Sequence, residues 1–273
     1  MRQMRALLSA ALIIVSGKTV AYNLVDPVPA AQMRELSTDS PDTTESPYTV
    51  DAGHYQIEWE AVSYGTDLDH GGRTDVLTSS LNLKAGLSDN VDIQLVLEPH
   101  TRVKTKSAAG SDAVSGINDT EVRLKINTWG NNSGDTAFAI MPFVRLPTHA
   151  DVFGENGKTE GGLILPIAFK LPGDWESAAM LEVDAVRNEN NDGYVAELLE
   201  SITFGHEISG ALGGFFEFVN DKRNESGAQA ERYFNAGLMY AAGTNMQFDG
   251  GFNLGLSDAA QDSRVFLGFS YRY

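Results

Sequence analysis

"RVFLGFSYRY", residues 264–273, puts Val265, Leu267, Phe269, Tyr271 and Tyr273 on every second position, with Phe266, Gly268, Ser270 and Arg272 between them. A period of two is that of a β-strand with two unlike faces. Most chains finish in a polar, frayed segment; this stretch instead carries a greasy aromatic face to its final residue.

The same alternation recurs along the chain. "HYQIEWEA" sets Tyr55, Ile57 and Trp59 against Gln56, Glu58 and Glu60. "VDIQLVLE" sets Val91, Ile93, Leu95 and Leu97 against Asp92, Gln94 and Glu98, and "EVRLKIN" sets Val122, Leu124 and Ile126 against Glu121, Arg123 and Lys125. The periodicity predicts about twelve strands, at 54–64, 75–87, 91–101, 118–128, 135–146, 161–171, 175–187, 194–204, 210–220, 231–241, 245–256 and 263–273. Each approaches the roughly 9–11 residues that cross a bilayer when tilted. The stretch 194–204 fits least well, because Glu200 falls on its apolar face.

The connections alternate as well. Long polar links such as "GTDLDHGGR" and "RVKTKSAAGSDAVSG" follow odd strands, and tight turns such as "SDN", "PGD" and "AGT" follow even ones. Outer-membrane barrels have this asymmetry, with long extracellular loops and short periplasmic turns. A soluble sandwich or lipocalin-like barrel also alternates, and the pattern alone does not say which face is inside. Aromatics near strand ends (Tyr55, Tyr64, Trp129, Trp175, Tyr194, Tyr240, Tyr273), an almost charge-free apolar face and about 220 residues of continuous strand pattern favour the membrane form. The expected fold is all-β: a transmembrane antiparallel up-and-down β-barrel occupying 54–273. Its last strand then pairs with its first, and Phe269, Tyr271 and Tyr273 form a signal for the barrel-assembly machinery.

At the front, "MRQMR" followed by "ALLSAALIIV" and "KTVA" reads as a signal peptide over 1–21, cleaved after Ala21. The chain carries −17 overall, and losing a segment with three bases and no acid takes it to −20. Such a balance disfavours nucleic acid as a partner. No cysteine is present, which excludes disulfide staples and a lipid anchor.

Between these parts, residues 22–53 are an acidic, proline-spaced lead-in with no apolar period. The stretch "STDSPDTTESPYTVDAGHYQIE" (37–58) resembles the opening of the outer-membrane family named for a meta-pathway of phenol degradation. The matching residues are Asp39, Pro41, Asp42, Thr44, Glu45, Ser46, Pro47, Thr49, Val50, Gly53, Gln56 and Glu58. "ITFGHEISGALGGFFEF" resembles a later strand–turn–strand of that family. The resemblance implies a barrel that moves small molecules and supplies no catalytic residue. Two readings of the lead-in stand side by side. It lies in the periplasm and covers the base of the barrel, which is the expectation adopted, or it folds into the lumen and meets Arg123, Lys125, Arg145 or Lys170.

The polar face furnishes lumen and selectivity candidates: Arg123, Lys125, Arg145, Lys170, Glu58, Glu121, Glu217 and Asp249. Arg123, Lys125 and Arg145 form a basic cluster that either selects anions or neutralises neighbouring acids. Hydrolytic chemistry needs a serine and a histidine in reach of each other; the histidines (54, 70, 100, 149, 206) have no serine motif beside them, and G-x-S-x-G is absent. "DLDHGG" (67–72) lacks the spacing of a calcium loop. The expectation is a non-enzymatic channel for small solutes, aromatic and other organic ones among them, without cofactor or metal. Its surroundings are outer-membrane lipid and lipopolysaccharide. The alternative is a non-conducting structural or adhesive barrel.

Overall fold

The computed structural model describes residues 22–69, 71–148 and 157–273, so the signal-peptide reading of 1–21 lies outside it. Thirteen strands follow a single 3₁₀ turn at Ala30–Gln32. They are β1 (Tyr55–Asp67), β2 (Arg73–Ser88), β3 (Val91–Ser107), β4 (Gly110–Gly116), β5 (Thr120–Trp129), β6 (Thr136–Leu146), β7 (Glu160–Leu171), β8 (Trp175–Arg187), β9 (Tyr194–Ser209), β10 (Leu212–Arg223), β11 (Glu231–Ala241), β12 (Met246–Gly255) and β13 (Ser263–Arg272). Each pairs antiparallel with its sequence neighbour, except that β3 pairs both β4 and β5. Closure comes from β1 against β13, in the register Gln56↔Arg272 to Thr66↔Ser263. The result is a closed barrel of twelve strands, with β4 as an extra strand outside the ring.

Two expected boundaries move. "RVKTKSAAGSDAVSG", read as a loop, is instead a β3–β4 hairpin held by pairs such as Val103↔Val114. β9 runs on through "HEIS" to Ser209, and the turn falls at Gly210, whose φ of +56° suits a residue without a Cβ.

The exposure pattern decides which face is inside. Leu267 is 63% exposed and Tyr273 56%, while Phe266, Ser270 and Arg272 between them are buried. The same inversion holds around the ring: Ile93, Leu181, Phe218, Leu238 and Phe252 face outward, and Gln56, Lys84, Asp92, Lys125, Glu217 and Asn235 face in. In water this arrangement would expose a continuous apolar girdle, far beyond the patch a soluble monomer shows. In lipid it is the low-energy one. A bulge between Glu60 and Val62 on β1 keeps the rule by absorbing Ala61, so that Val62 and Tyr64 return to the outer face.

The end of the chain is tied in twice. Tyr55 N–H donates to Tyr273 O at 3.1 Å and Tyr273 N–H to Tyr55 O at 2.9 Å, and their rings stack with centroids 5.6 Å apart. Glu200 sits on the outer face as its sequence position implied, where it accepts from Asn220 Nδ2 at 3.3 Å.

One sector of the inner wall is apolar. Met141, Phe143, Ile164 and Met180 on β6–β8 form a buried cluster joined by Leu199. A hollow barrel would leave it facing water; here it backs onto the lead-in.

Candidate functional site

The lead-in does not remain beneath the barrel. Residues 34–51 pass into the lumen and bond to inward side chains of ten of the twelve ring strands, from Gln56 on β1 to Arg272 on β13. This corrects the periplasmic reading for residues 34–51 of the lead-in, and the reason is chemical. Without strand periodicity the segment has no ladder for its amides, and a buried amide needs an acceptor. The inner wall supplies acceptors. Glu58 Oε2 takes the N–H groups of Asp39 and Ser40, both at 3.0 Å. Glu217 takes those of Thr43 at 3.0 Å and Thr44 at 2.7 Å, with the Thr44 hydroxyl as well. Asp92 accepts from Val50 N–H at 2.9 Å, and Asn131 from Thr49 N–H at 3.1 Å.

The exchange also runs in the other direction, with plug carboxylates receiving wall bases. Asp39 pairs with Lys84 and, at 2.6 Å, with Lys125, whose side chain is 1% exposed. Glu45 pairs with Arg123, and Asp51 with Arg272 at 3.0 Å and, within the plug itself, with Arg34 at 2.8 Å. Against the apolar sector, Glu45 N–H meets Met180 Sδ at 3.3 Å.

Three of the plug acids differ in how readily they ionise. Burial opposes ionisation of Asp39, but Lys125 and Lys84 outweigh it and hold its carboxyl well below the usual range. Burial pushes Asp42 well above that range, and the nearby Glu217 charge adds to the shift. Burial drives Glu45 up to about 7, with Asp39 adding to the rise and Arg123 opposing it.

The sequence-derived lumen residues fall into three groups. Arg123, Lys125 and Arg145 do not form a free basic cluster. Arg123 also binds Glu121, and Arg145 bridges Glu121 and Glu160, each at 3.2 Å. Glu58 and Glu217, the latter 0% exposed, are the plug's acceptors. Lys170, in register with Glu176, faces the short-turn side, whereas Asp249 faces a cavity on the long-loop side. Asp39, Glu45, Asp51, Asn131 and Asn235 were not singled out. Asp39 and Glu45 stood in the quoted motif, but their partners are 45 to 86 positions away. Of the described histidines, His54 Nε2 lies 2.7 Å from Val28 O and His206 Nε2 3.2 Å from Gly173 O, both backbone carbonyls. His70 and His149 lie outside the described residues, as does part of "DLDHGG".

The plug divides the lumen. Toward the long loops lies a cavity of about 540 Å³, and toward the short turns one of about 260 Å³. Ser40, Asp42 and Glu45 line both, so the partition is a few residues of plug and not barrel wall.

Comparison with known proteins agrees with this architecture. A family model described as "Putative MetA-pathway of phenol degradation" matches residues 38–273, plug included. An outer-membrane channel from Pseudomonas putida F1 superposes with a TM-score of 0.66 at 14% identity, covering 87% of this chain and all of that one. The β domain of the Bordetella autotransporter BrkA gives 0.54 at 13%, covering 81% and 98%. The NanC porin gives 0.53 at 8%, covering 78% and 98%. At these identities the likeness is one of fold. No curated protein sequence matches the chain.

Proposed function

The chain belongs to the MetA-pathway phenol-degradation family, and from that premise we propose that it is an outer-membrane channel for passive entry of small solutes, closed at rest by its own lead-in. One observation carries the reading: two cavities on opposite sides are separated only by the non-covalent segment Ser40–Glu45. Displacing that segment joins them without breaking a strand pair. The lower cavity adds Tyr48, Phe169 and Phe215 to its polar lining, a surface suited to aromatic solutes. The protein works by passage and not by catalysis. Export through a cleaved signal at 1–21, assembly through Phe269, Tyr271 and Tyr273, and contact with lipopolysaccharide belong to the same reading. The outward placement of Tyr271 and Tyr273 supports it.

The absence of native cysteine makes the test clean. Thr44 Oγ1 lies 2.7 Å from Ser201 Oγ, so T44C/S201C tethers plug to wall. In planar bilayers the reduced pair is expected to conduct and the oxidised pair to fall silent. Equal conductance in both states would refute a moving plug. The second reading, a non-conducting structural barrel, is favoured by the complete pairing of Arg123, Lys125 and Arg145. Silence of a variant lacking residues 38–47, with the barrel still folded, would establish it.

A further inference from the structure

The upper cavity is chemically one-sided. Seven acidic and two basic residues line it, and both bases are engaged: Arg123 with Glu45 and Glu121, Arg264 with Glu60. What remains is a surplus of acceptors. Glu45 Oε2, Asn82 Oδ1 and Asp249 Oδ2 line the cavity, are buried, and have no hydrogen-bond partner among the described residues. Buried polar atoms are almost always paired, so three unpaired acceptors around one space mark where donors are missing. Asp249 is the strongest of the three, since its side chain belongs to a residue only 8% exposed.

The pocket around Asp249 is built by a missing side chain. Gly268 on β13 is in register with Asp249 on one side and Glu60 on the other. A Cβ there would come within 2.8 Å of the Trp59 carbonyl oxygen and 2.9 Å of Asp249 Oδ1, so glycine at 268 leaves the Asp249 carboxylate its place against the wall. Phe266, two residues earlier, contributes a buried aromatic ring that already receives the Arg264 guanidinium, 5.1 Å from its centroid.

We infer that the cavity above the plug is a binding subsite for small organic ammonium ions, with Asp249 receiving the ammonium head and Phe266 the carbon body. A primary ammonium brings three donors and one positive charge, which matches the acceptor surplus, and cations are attracted to aromatic faces. The approach favours the same class. A mouth cavity of about 860 Å³ near the long loops is lined by six acidic and two basic residues, a field that concentrates cations and repels anions. The inference rests on the channel reading for access to the cavity and names the class of solute that enters.

Calorimetry on the full chain in detergent, at low salt, tests it with three probes of one shape: benzylammonium, benzyl alcohol and benzoate. Benzylammonium is expected to bind at least about tenfold tighter than the alcohol, and benzoate to give no heat. D249N should weaken the ammonium about tenfold, while E207Q at the short-turn end leaves it unchanged. Should D249N lose its unboiled gel band, E98Q, also lining the cavity, is expected to weaken binding in the same direction. Equal affinity for ammonium and alcohol, or full competition by potassium or calcium, would overturn the assignment. Conductance of the same preparations separates the two readings: conduction without ammonium binding removes the subsite alone, and binding in a barrel that stays silent with its plug deleted removes passage alone.

Discussion

β13 and the plug solve the same problem in opposite ways. Both must satisfy every backbone amide away from bulk water. β13 does so with ladders to β12 and β1, in which each bond follows from position along the strand. The plug does so with Glu58 on β1, Asp92 on β3, Glu217 on β10 and Asn131 in the β5–β6 turn, drawn from separate parts of the ring. A ladder degrades gradually when one residue changes. A carboxylate serving two amides fails all at once, so damage to the plug should be abrupt and specific, and damage to β13 graded with depth in the membrane.

The largest effect is expected from D39A. Among the described residues it strips Lys125 of its ion-pair partner and leaves Lys84 with Glu58. Breaking a buried pair typically costs about 3–5 kcal/mol, and urea titration of the folded gel band should show a loss of that order. Adding K125M should recover much of it, because the orphaned charge is removed; no recovery would mean that the damage is not electrostatic.

Next comes L267R, a charge at the middle of the outward face of β13. Lipid-facing arginine at midplane costs about 2–4 kcal/mol, and assembly in liposomes should fall accordingly. R272M, on the inward face of the same strand, should instead free the lead-in near Asp51, read as faster proteolysis of residues 34–51 with the barrel intact. If the two variants behave alike, the division between faces is wrong.

Y273D stands third. At the interface a charge costs only about 0–1 kcal/mol, so stability should barely move while outer-membrane levels under strong expression fall. Unchanged levels would remove Tyr273 from the assembly signal.

The smallest expected effect is that of pH on the plug. Glu45 is raised from 4.5 to about 7 on burial. An acid whose folded value is raised contributes stability in its protonated form, and that contribution declines as pH climbs from about 4.5 through 7. Asp42 shifts the same way, whereas Asp39, shifted down, stays ionised across this window. Amide exchange at Thr43 and Thr44, corrected for intrinsic rates, should therefore be slower at pH 5 than at pH 8, and E45Q should abolish most of the difference. A plug tightened by rising pH would contradict the assignment.

Much of the barrel was legible because its rule is local. Val265, Leu267, Phe269 and Tyr271 alternate whether or not the partner strand is known, and Glu200 alone broke the pattern because it does point outward beside Asn220. The candidate site was half legible. Glu58 and Glu217 stood out as charges on a strand's polar face, but nothing local showed that they would cap amides of residues 39–44. The Arg123, Lys125 and Arg145 cluster looked basic because, apart from the neighbouring Glu121, its partners Asp39, Glu45 and Glu160 are distant in sequence.

From sequence alone came the period of two, the twelve ring strands, the long and short connections and the aromatic strand ends, all consequences of backbone geometry repeated within a few residues. Tertiary structure alone decided which face met lipid, that the lead-in entered the lumen, and that Gly268 left room for Asp249. These depend on closure of the ring. Only once β1 meets β13 do inward side chains from ten strands surround one space, and only then does a segment without periodicity find acceptors for the amides of Asp39, Ser40, Thr43, Thr44, Thr49 and Val50 and a counter-charge for Asp39 and Glu45.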